Sequence, residues 1–193
     1  RPAGRLQDGV LHLDLEVRMG RWHPEAENGP WLEAPVFAER GRPPQVPGPL
    51  IRVPTGTTLE VTVFNALRDS TLRVFGLVTR PAEAGDSLLV PPGERRTVRF
   101  AAGAPGTYLY WAEAGGPDTL GEHEQLAGAF VVDSGVPRPD DRVFVINIWS
   151  GFVDSAHHRK ALAINGKSWP YTARIGGTRR HLLSVAGDSL ELE

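Results

Sequence analysis

The sequence predicts an all-β protein, a β-sandwich assembled from many short strands. Three observations support this prediction. Apolar and polar residues alternate with a period of two along several segments, glycine and proline separate those segments, and no stretch of ten residues carries a helical apolar stripe. The chain has 193 residues, of which 40% are hydrophobic, 22 are glycine and 17 are proline. It can therefore form one large domain, or one domain and a fraction of another.

The alternation predicts where the strands lie. Residues 10–18 and 59–63 alternate clearly, and short β-rich runs bounded by glycine and proline follow at residues 97–100 and 107–111. Residues 126–133 close the series. The apolar side of these strands predicts a buried core that includes Leu11, Leu13, Leu15, Leu59, Val61, Val63, Phe100, Tyr108, Phe130 and Val131.

Two segments near the end of the chain repeat earlier ones. Residues 143–149 resemble the first strand, and residues 183–192 resemble residues 51–61, with an apolar residue, a glycine turn and then Leu-Glu followed by an apolar residue. Both recur after about 130 residues, which is typical of a duplicated unit.

The repeat predicts the domain organisation. We expect a first domain over residues 1–133, a linker rich in proline and charge over residues 134–142, and a second, incomplete unit over residues 143–193. So few strands cannot bury a sandwich face, so we expect this sequence to be the front part of a longer protein. The uncovered apolar face would be closed by another chain, by domain swapping or by residues outside this sequence.

The order of five segments resembles the multicopper oxidases, which are built from tandem cupredoxin domains. The segments are GPLIRVPTGTTLEVTVFN (residues 48–65), GL (76–77), VPPGERRTVRF (90–100), GAPGTYLYW (103–111) and QLAGAFVVD (125–133). In the second unit, ALAINGKSWP (161–170) resembles the strand that opens the next domain of that family. The resemblance implies a Greek-key cupredoxin-like β-sandwich, followed by the opening strands of a second cupredoxin-like domain.

The resemblance also indicates where copper ligands would stand. Family members carry one His-x-His pair just before the Gly-Leu and a second after the Gly-Thr-Tyr strand. Here the first pair falls on Arg73 and Phe75, and the second on Trp111 and Glu113. Arginine, phenylalanine and tryptophan cannot ligate copper, and one carboxylate without imidazoles is a poor copper site. We expect Phe75 and Trp111 to be core or interface aromatics, and Arg73 and Glu113 are candidates for an ion pair.

No other residues restore a site. The chain has no cysteine, which excludes disulfides, thiolate catalysis and the cysteine ligand of a blue copper centre. The histidines lack the i, i+2 or i, i+4 partners typical of a metal site; they are His12, His23, His123, His157, His158 and His181. No nucleophile elbow, P-loop or dinucleotide fingerprint occurs. The sequence therefore predicts no catalytic, cofactor-binding or metal-ligating residue in 1–193, although the full-length family uses copper.

Two hypotheses of function stay open. In the first, residues 1–193 are the N-terminal scaffold portion of a copper-dependent oxidoreductase with oxygen as acceptor, inactive when isolated. In the second, the chain is a non-catalytic cupredoxin-like module for binding or assembly. The residues after position 193 in the parent gene would discriminate them, since a histidine-rich strand and a Cys-x-His run there favour the first.

Expected partners can be derived from the resemblance and the charge. They are further cupredoxin domains of the same protein, or another copy of it through oligomerisation or swapping. A net charge of −2 with both signs interspersed predicts no nucleic-acid partner. No apolar stretch approaches the roughly 18 residues that a membrane span needs, so we expect no membrane partner. The resemblance implies a periplasmic or extracellular location.

Overall fold

The computed structural model describes residues 1–79, 86–114, 126–135, 141–152, 158–168, 171–174, 181–185 and 188–192. The strands are β1 (Arg5–Gln7), β2 (Val10–Trp22), β3 (Leu32–Glu39), β4 (Gly48–Pro54), β5 (Thr58–Asn65), β6 (Leu72–Phe75), β7 (Ser87–Val90), β8 (Arg95–Ala101), β9 (Gly106–Ala114), β10 (Ala127–Asp133), β11 (Ile146–Phe152), β12 (His158–Ile164), β13 (His181–Val185) and β14 (Asp188–Leu192). A short 3₁₀ helix spans Tyr171–Arg174. The predicted all-β class is confirmed. Among the described residues, no helix has the length and apolarity needed to cross a membrane.

Two five-stranded sheets form a sandwich in the first part of the chain. Sheet A has the order β1-β2-β5-β8, with β3 also paired to β2, and sheet B has the order β4-β10-β9-β6-β7. The pairs β2–β5 and β4–β10 are parallel, and the other pairs within these sheets are antiparallel. Successive strands repeatedly switch sheets, as between β4 and β5, β7 and β8, and β8 and β9. Connections that cross between the layers, with strands distant in the chain paired within each sheet, are typical of the Greek-key β-sandwich that the resemblance implied.

The main core lies between the sheets, and alternation decides which residues enter it. In β5, Leu59, Val61 and Val63 are fully buried while the residues between them are partly exposed. Strand β3 was not found from the sequence because Val36, Phe37 and Ala38 are buried in succession, which erases the period of two.

The core prediction is confirmed except at Tyr108. That residue is half-buried and its hydroxyl donates a hydrogen bond to the backbone oxygen of Ala104 (2.9 Å). Tyr110, two residues further along the same side of β9, is fully buried instead. The reason is position along the strand: β9 enters the sandwich near Gly106, so its first inward-facing residue lies at the rim.

The second unit is described as two hairpins. Antiparallel pairing joins β11 to β12 and β13 to β14. Strand β11 lies within the segment that resembles β2, although it begins at Ile146 rather than at residue 143. The second correspondence differs, because β4 and β5 lie in different sheets whereas β13 and β14 pair directly. Residues 136–140 of the predicted linker lie outside the described residues, and the domain boundaries remain predictions.

Candidate functional site

Strands β6 and β9 bring together the four positions at which the resemblance to the multicopper oxidases implies copper ligands. The two strands are antiparallel neighbours, with Arg73 opposite Glu113 and Phe75 opposite Trp111. In each strand the residue between the two positions is buried in the core, so all four side chains lie on the outer face of sheet B. Cross-strand partners are about 5 Å apart and residues i and i+2 about 7 Å apart. The four positions, called the ligand-position patch below, therefore form one compact rectangle.

The aromatic half of the ligand-position patch is a ring stack. The rings of Phe75 and Trp111 have centroids 5.1 Å apart and planes inclined by 11°. Both residues are half-buried, so they are surface aromatics of the outer face and not part of the core between the sheets. Stacked aromatic pairs contribute about 0.5–1.5 kcal/mol beyond the area they bury. Two of the four ligand positions are thus occupied by stacked apolar rings.

The charged half of the ligand-position patch is open. Arg73 is exposed and Glu113 is half-buried. The ion pairs within 4.0 Å between described residues do not include this one, so the candidate ion pair of Arg73 with Glu113 is not formed. A surface ion pair contributes at most about 1 kcal/mol of stability, and forming it costs the side-chain entropy of two long residues. Cross-strand placement of Arg73 and Glu113 is therefore not sufficient to make their ion pair favourable.

The residues of the ligand-position patch do not fit copper. Phenylalanine has no donor atom, the tryptophan indole only donates a hydrogen bond, and the arginine guanidinium stays protonated. One carboxylate, that of Glu113, remains. Within the part of the chain that the structure describes, no group of three or more histidine, cysteine, aspartate or glutamate side chains could hold a metal ion. The four residues of the ligand-position patch therefore do not form a copper site.

The histidines are dispersed over the fold. His12 Nδ1 lies 3.2 Å from Glu60 Oε1 on the exposed side of sheet A. His23 Nδ1 lies 3.1 Å from the backbone oxygen of Gly29, in the loop after β2. His158 and His181 begin the strands β12 and β13. The remaining two, at positions 123 and 157, lie outside the described residues.

The sequence did not predict one ion-pair network, which joins Arg52 to Asp133 and Asp141. The guanidinium of Arg52 donates two hydrogen bonds to the carboxylate of Asp133 (2.8 and 2.9 Å) and a third to Asp141 (2.7 Å). Only 15% of the Arg52 side chain is exposed. The hydrogen bond to Asp133 is the largest cause that raises the pKa of Arg52 above its usual value, against the opposing effect of burial. The network connects β4, the end of β10 and a residue at the end of the predicted linker.

The comparisons with known proteins agree with this architecture. The family model described as "Multicopper oxidase" matches residues 43–136, which include the whole ligand-position patch. This part of the chain is similar to the multicopper oxidase family. The recognition made from the five segments is confirmed, and so is the cupredoxin-like sandwich.

A curated relative and two solved structures are longer than this chain and are similar to most of it. A "Probable nitrite reductase-hydroxylamine oxidoreductase fusion protein" of Kuenenia stuttgartiensis is 30% identical over 175 residues, covering 84% of this chain and 20% of the relative. A structure titled "Crystal structure of multicopper oxidase" has 25% identity and a TM-score of 0.60, covering 87% of this chain and 60% of the other. The copper nitrite reductase of Nitrosomonas europaea has 25% identity and a TM-score of 0.52, covering 67% and 45%. The chain thus spans a fifth of the curated relative and less than two thirds of either structure.

Proposed function

We propose that residues 1–193 are the N-terminal scaffold portion of a copper-dependent oxidoreductase and have no copper site of their own. The multicopper oxidase match over residues 43–136 supports the class of protein. One observation carries the finer statement. Arg73, Phe75, Trp111 and Glu113 converge in register on one face, where four imidazoles could act together, and none of them is an imidazole.

We propose further that the ligand-position patch packs against another cupredoxin domain, from the same protein or from another copy. Its stacked aromatic rings are half-buried, and aromatic residues are enriched in protein interfaces. Arg73 and Glu113 border the rings with opposite charges, which can pair with a partner's charges instead of with each other. The relatives are longer than this chain, which is consistent with a further domain. Any copper of the whole protein then lies outside residues 1–193.

Calorimetric titration of the purified chain with Cu(II), beside an oxygen-uptake assay with a phenol, tests the absence of a copper site. We expect weak, non-saturating binding and no turnover. A saturable one-to-one site with turnover would show that ligands converge elsewhere in the chain. Replacing His123, and then His157 together with His158, would locate such a site.

A gain-of-site variant tests the geometry separately. The double variant Arg73→His/Glu113→His places two imidazoles on one cross-strand pair, so it should bind Cu(II) one to one and more tightly than Arg73→His alone. At a free Cu(II) concentration one hundred times the Kd, the double variant should gain about 2.7 kcal/mol of unfolding free energy. Equal affinity in the single and double variants would mean that the two positions are not neighbours.

The replaced ligand positions also favour a second candidate function, a non-catalytic cupredoxin-like binding or assembly module. The residues after position 193 in the parent gene distinguish the two candidates. A downstream histidine-rich strand with a Cys-x-His run supports the oxidoreductase, and a third domain without imidazoles supports the binding module.

We propose a periplasmic or extracellular location for the parent protein, supported by the resemblance to the multicopper oxidases. Fractionation of cells that express the parent gene, followed by immunodetection, is the test. Recovery in the cytoplasmic fraction would contradict the proposal.

A further inference from the structure

The far ends of β2 and β3 form a second, smaller hydrophobic cluster with the second unit. Trp22 and Leu32 are cross-strand partners at this end, and they are buried together with Ala163 of β12. Val46, from the loop before β4, packs against them. This group, called the junction cluster, is separate from the main core between the sheets. The first domain therefore buries part of its apolar surface against residues beyond the predicted linker.

Polar contacts accompany the junction cluster. The buried indole Nε1 of Trp22 donates a hydrogen bond to the backbone oxygen of Gly166 at 2.8 Å. The backbone nitrogen of Ser168 donates to the backbone oxygen of Pro24, also at 2.8 Å. Burying an indole N–H without a partner costs about 1–3 kcal/mol, and the backbone oxygen of Gly166 supplies that partner where the second unit covers Trp22.

The turn after β12 lies very close to the first domain. Gly166 has a φ of +75°, in the left-handed region where a side chain is strained. A Cβ added at Gly166 would also overlap the backbone oxygen of Val46. Gly93, in the turn between β7 and β8, has nearly the same φ of +73° but nothing within 4 Å of such a Cβ. Close approach to the first domain is thus a second requirement for glycine at position 166.

Asn165 fastens the segment that leads into the second unit. Its Oδ1 accepts a hydrogen bond from the backbone nitrogen of Val145 (2.8 Å), and its Nδ2 donates to the backbone oxygen of Val143 (3.0 Å). The backbone nitrogen of Asn165 donates to the oxygen of Val145 (2.8 Å). Just before this segment, Arg52 binds Asp141. Asp141, near the end of the predicted linker, is therefore bound by β4, and residues 143 and 145, just after the linker, are bound by the turn after β12.

We propose that the outer end of the β2–β3 hairpin is a docking surface for the opening hairpin of the second unit, and that residues 141–152 and 158–168 form one folding unit with the first domain. The junction cluster, the Trp22–Gly166 hydrogen bond and the Asn165 contacts hold this unit together. The inference goes beyond the proposed scaffold function and needs no assumption about copper, so the two can fail independently.

Hydrogen exchange followed by NMR in the full chain tests this proposal. The reporters are the indole N–H of Trp22 and the amide of Ser168, each normalised to the amide of Val61 in the main core. In the wild type both reporters should be protected. Gly166→Ala should lower both normalised protection factors at least about tenfold, whereas Gly93→Ala, which carries the same backbone strain, should leave them unchanged.

Two results would overturn the proposal. One is exchange of both reporters at free-peptide rates in the wild type, and the other is unchanged normalised protection in Gly166→Ala. If Gly166→Ala fails to fold, Trp22→Phe replaces it, since phenylalanine keeps an aromatic ring but removes the indole donor and part of the side-chain volume that packs in the junction cluster. That variant should lower the normalised protection of Ser168, and an unchanged value would refute the docking contact.

Discussion

Replacing Tyr110 with phenylalanine is a sharp test of the main core. Tyr110 is fully buried, and its hydroxyl donates a 2.6 Å hydrogen bond to the backbone oxygen of Pro49. Its ring meets that of Phe37 edge-on, with centroids 5.1 Å apart. The substitution keeps the ring and this aromatic contact. It removes the hydroxyl and leaves the oxygen of Pro49 without its buried donor.

At neutral pH the cost arises from that lost hydrogen bond. A buried acceptor deprived of its partner costs about 1–3 kcal/mol, so we expect Tyr110→Phe to lower the unfolding free energy by about 1.4 kcal/mol. Tyr108→Phe is the matched control, because it removes a hydroxyl whose hydrogen bond to Ala104 lies at the surface. The control should lose about 0.5 kcal/mol or less.

At alkaline pH the difference should disappear. Burial raises the pKa of Tyr110 well above 10, so the folded state keeps its phenol proton where the unfolded state has lost it. The wild type therefore has the full contribution of this group below pH 10 and loses stability as the pH rises further. At pH 11 the loss from one such group is about 1.4 kcal/mol, because the unfolded state binds almost one proton fewer. Tyr110→Phe lacks this group, so the two proteins should become equally stable near pH 11.

Urea unfolding at pH 7, 9, 10 and 11 measures the difference directly. Contributions from other titrating groups cancel between wild type and variant, provided that the m-values agree. A stability difference that stays constant up to pH 11 would refute the reasoning, since it would mean that Tyr110 ionises in the folded state as readily as in the unfolded state.

Two further predictions concern close contacts. Gly128→Ala would place a Cβ in overlap with the ring of Tyr110, so it should lower the unfolding free energy measured with urea by about 1–3 kcal/mol. Gly135→Ala is the control, because a Cβ there meets nothing within 4 Å and should change the unfolding free energy little. Equal losses in the two variants would contradict the packing of Tyr110 against Gly128. In a double-mutant cycle of Phe75→Leu with Trp111→Leu, we expect a stabilising coupling of about 0.5–1.5 kcal/mol, and zero coupling would mean that the two rings do not stack in solution.

Local patterns accounted for most of the first sheet. The alternation of Leu59, Val61 and Val63 predicts which side of β5 is buried, because neighbouring residues of a strand point to opposite faces whatever the strand pairs with. The same reasoning missed β3, which is buried on both faces where the loop before β4 and the second unit approach it. It also misjudged Tyr108, because alternation gives the side of a residue and not its depth.

The strand pattern, the multicopper oxidase resemblance and the absence of histidine at positions 73, 75, 111 and 113 can all be read from the amino-acid sequence. Each is a local property, readable from residue identity and from spacing along the chain. That these positions lie together is a property of the folded chain, since the register of β6 with β9 places Arg73 opposite Glu113 although β7 and β8 lie between them in the sequence. The hydrogen bond from Trp22 to Gly166, 144 residues further along the chain, is likewise visible only in the folded structure. Such contacts depend on how distant segments pack, and no short-range pattern in either segment encodes its partner.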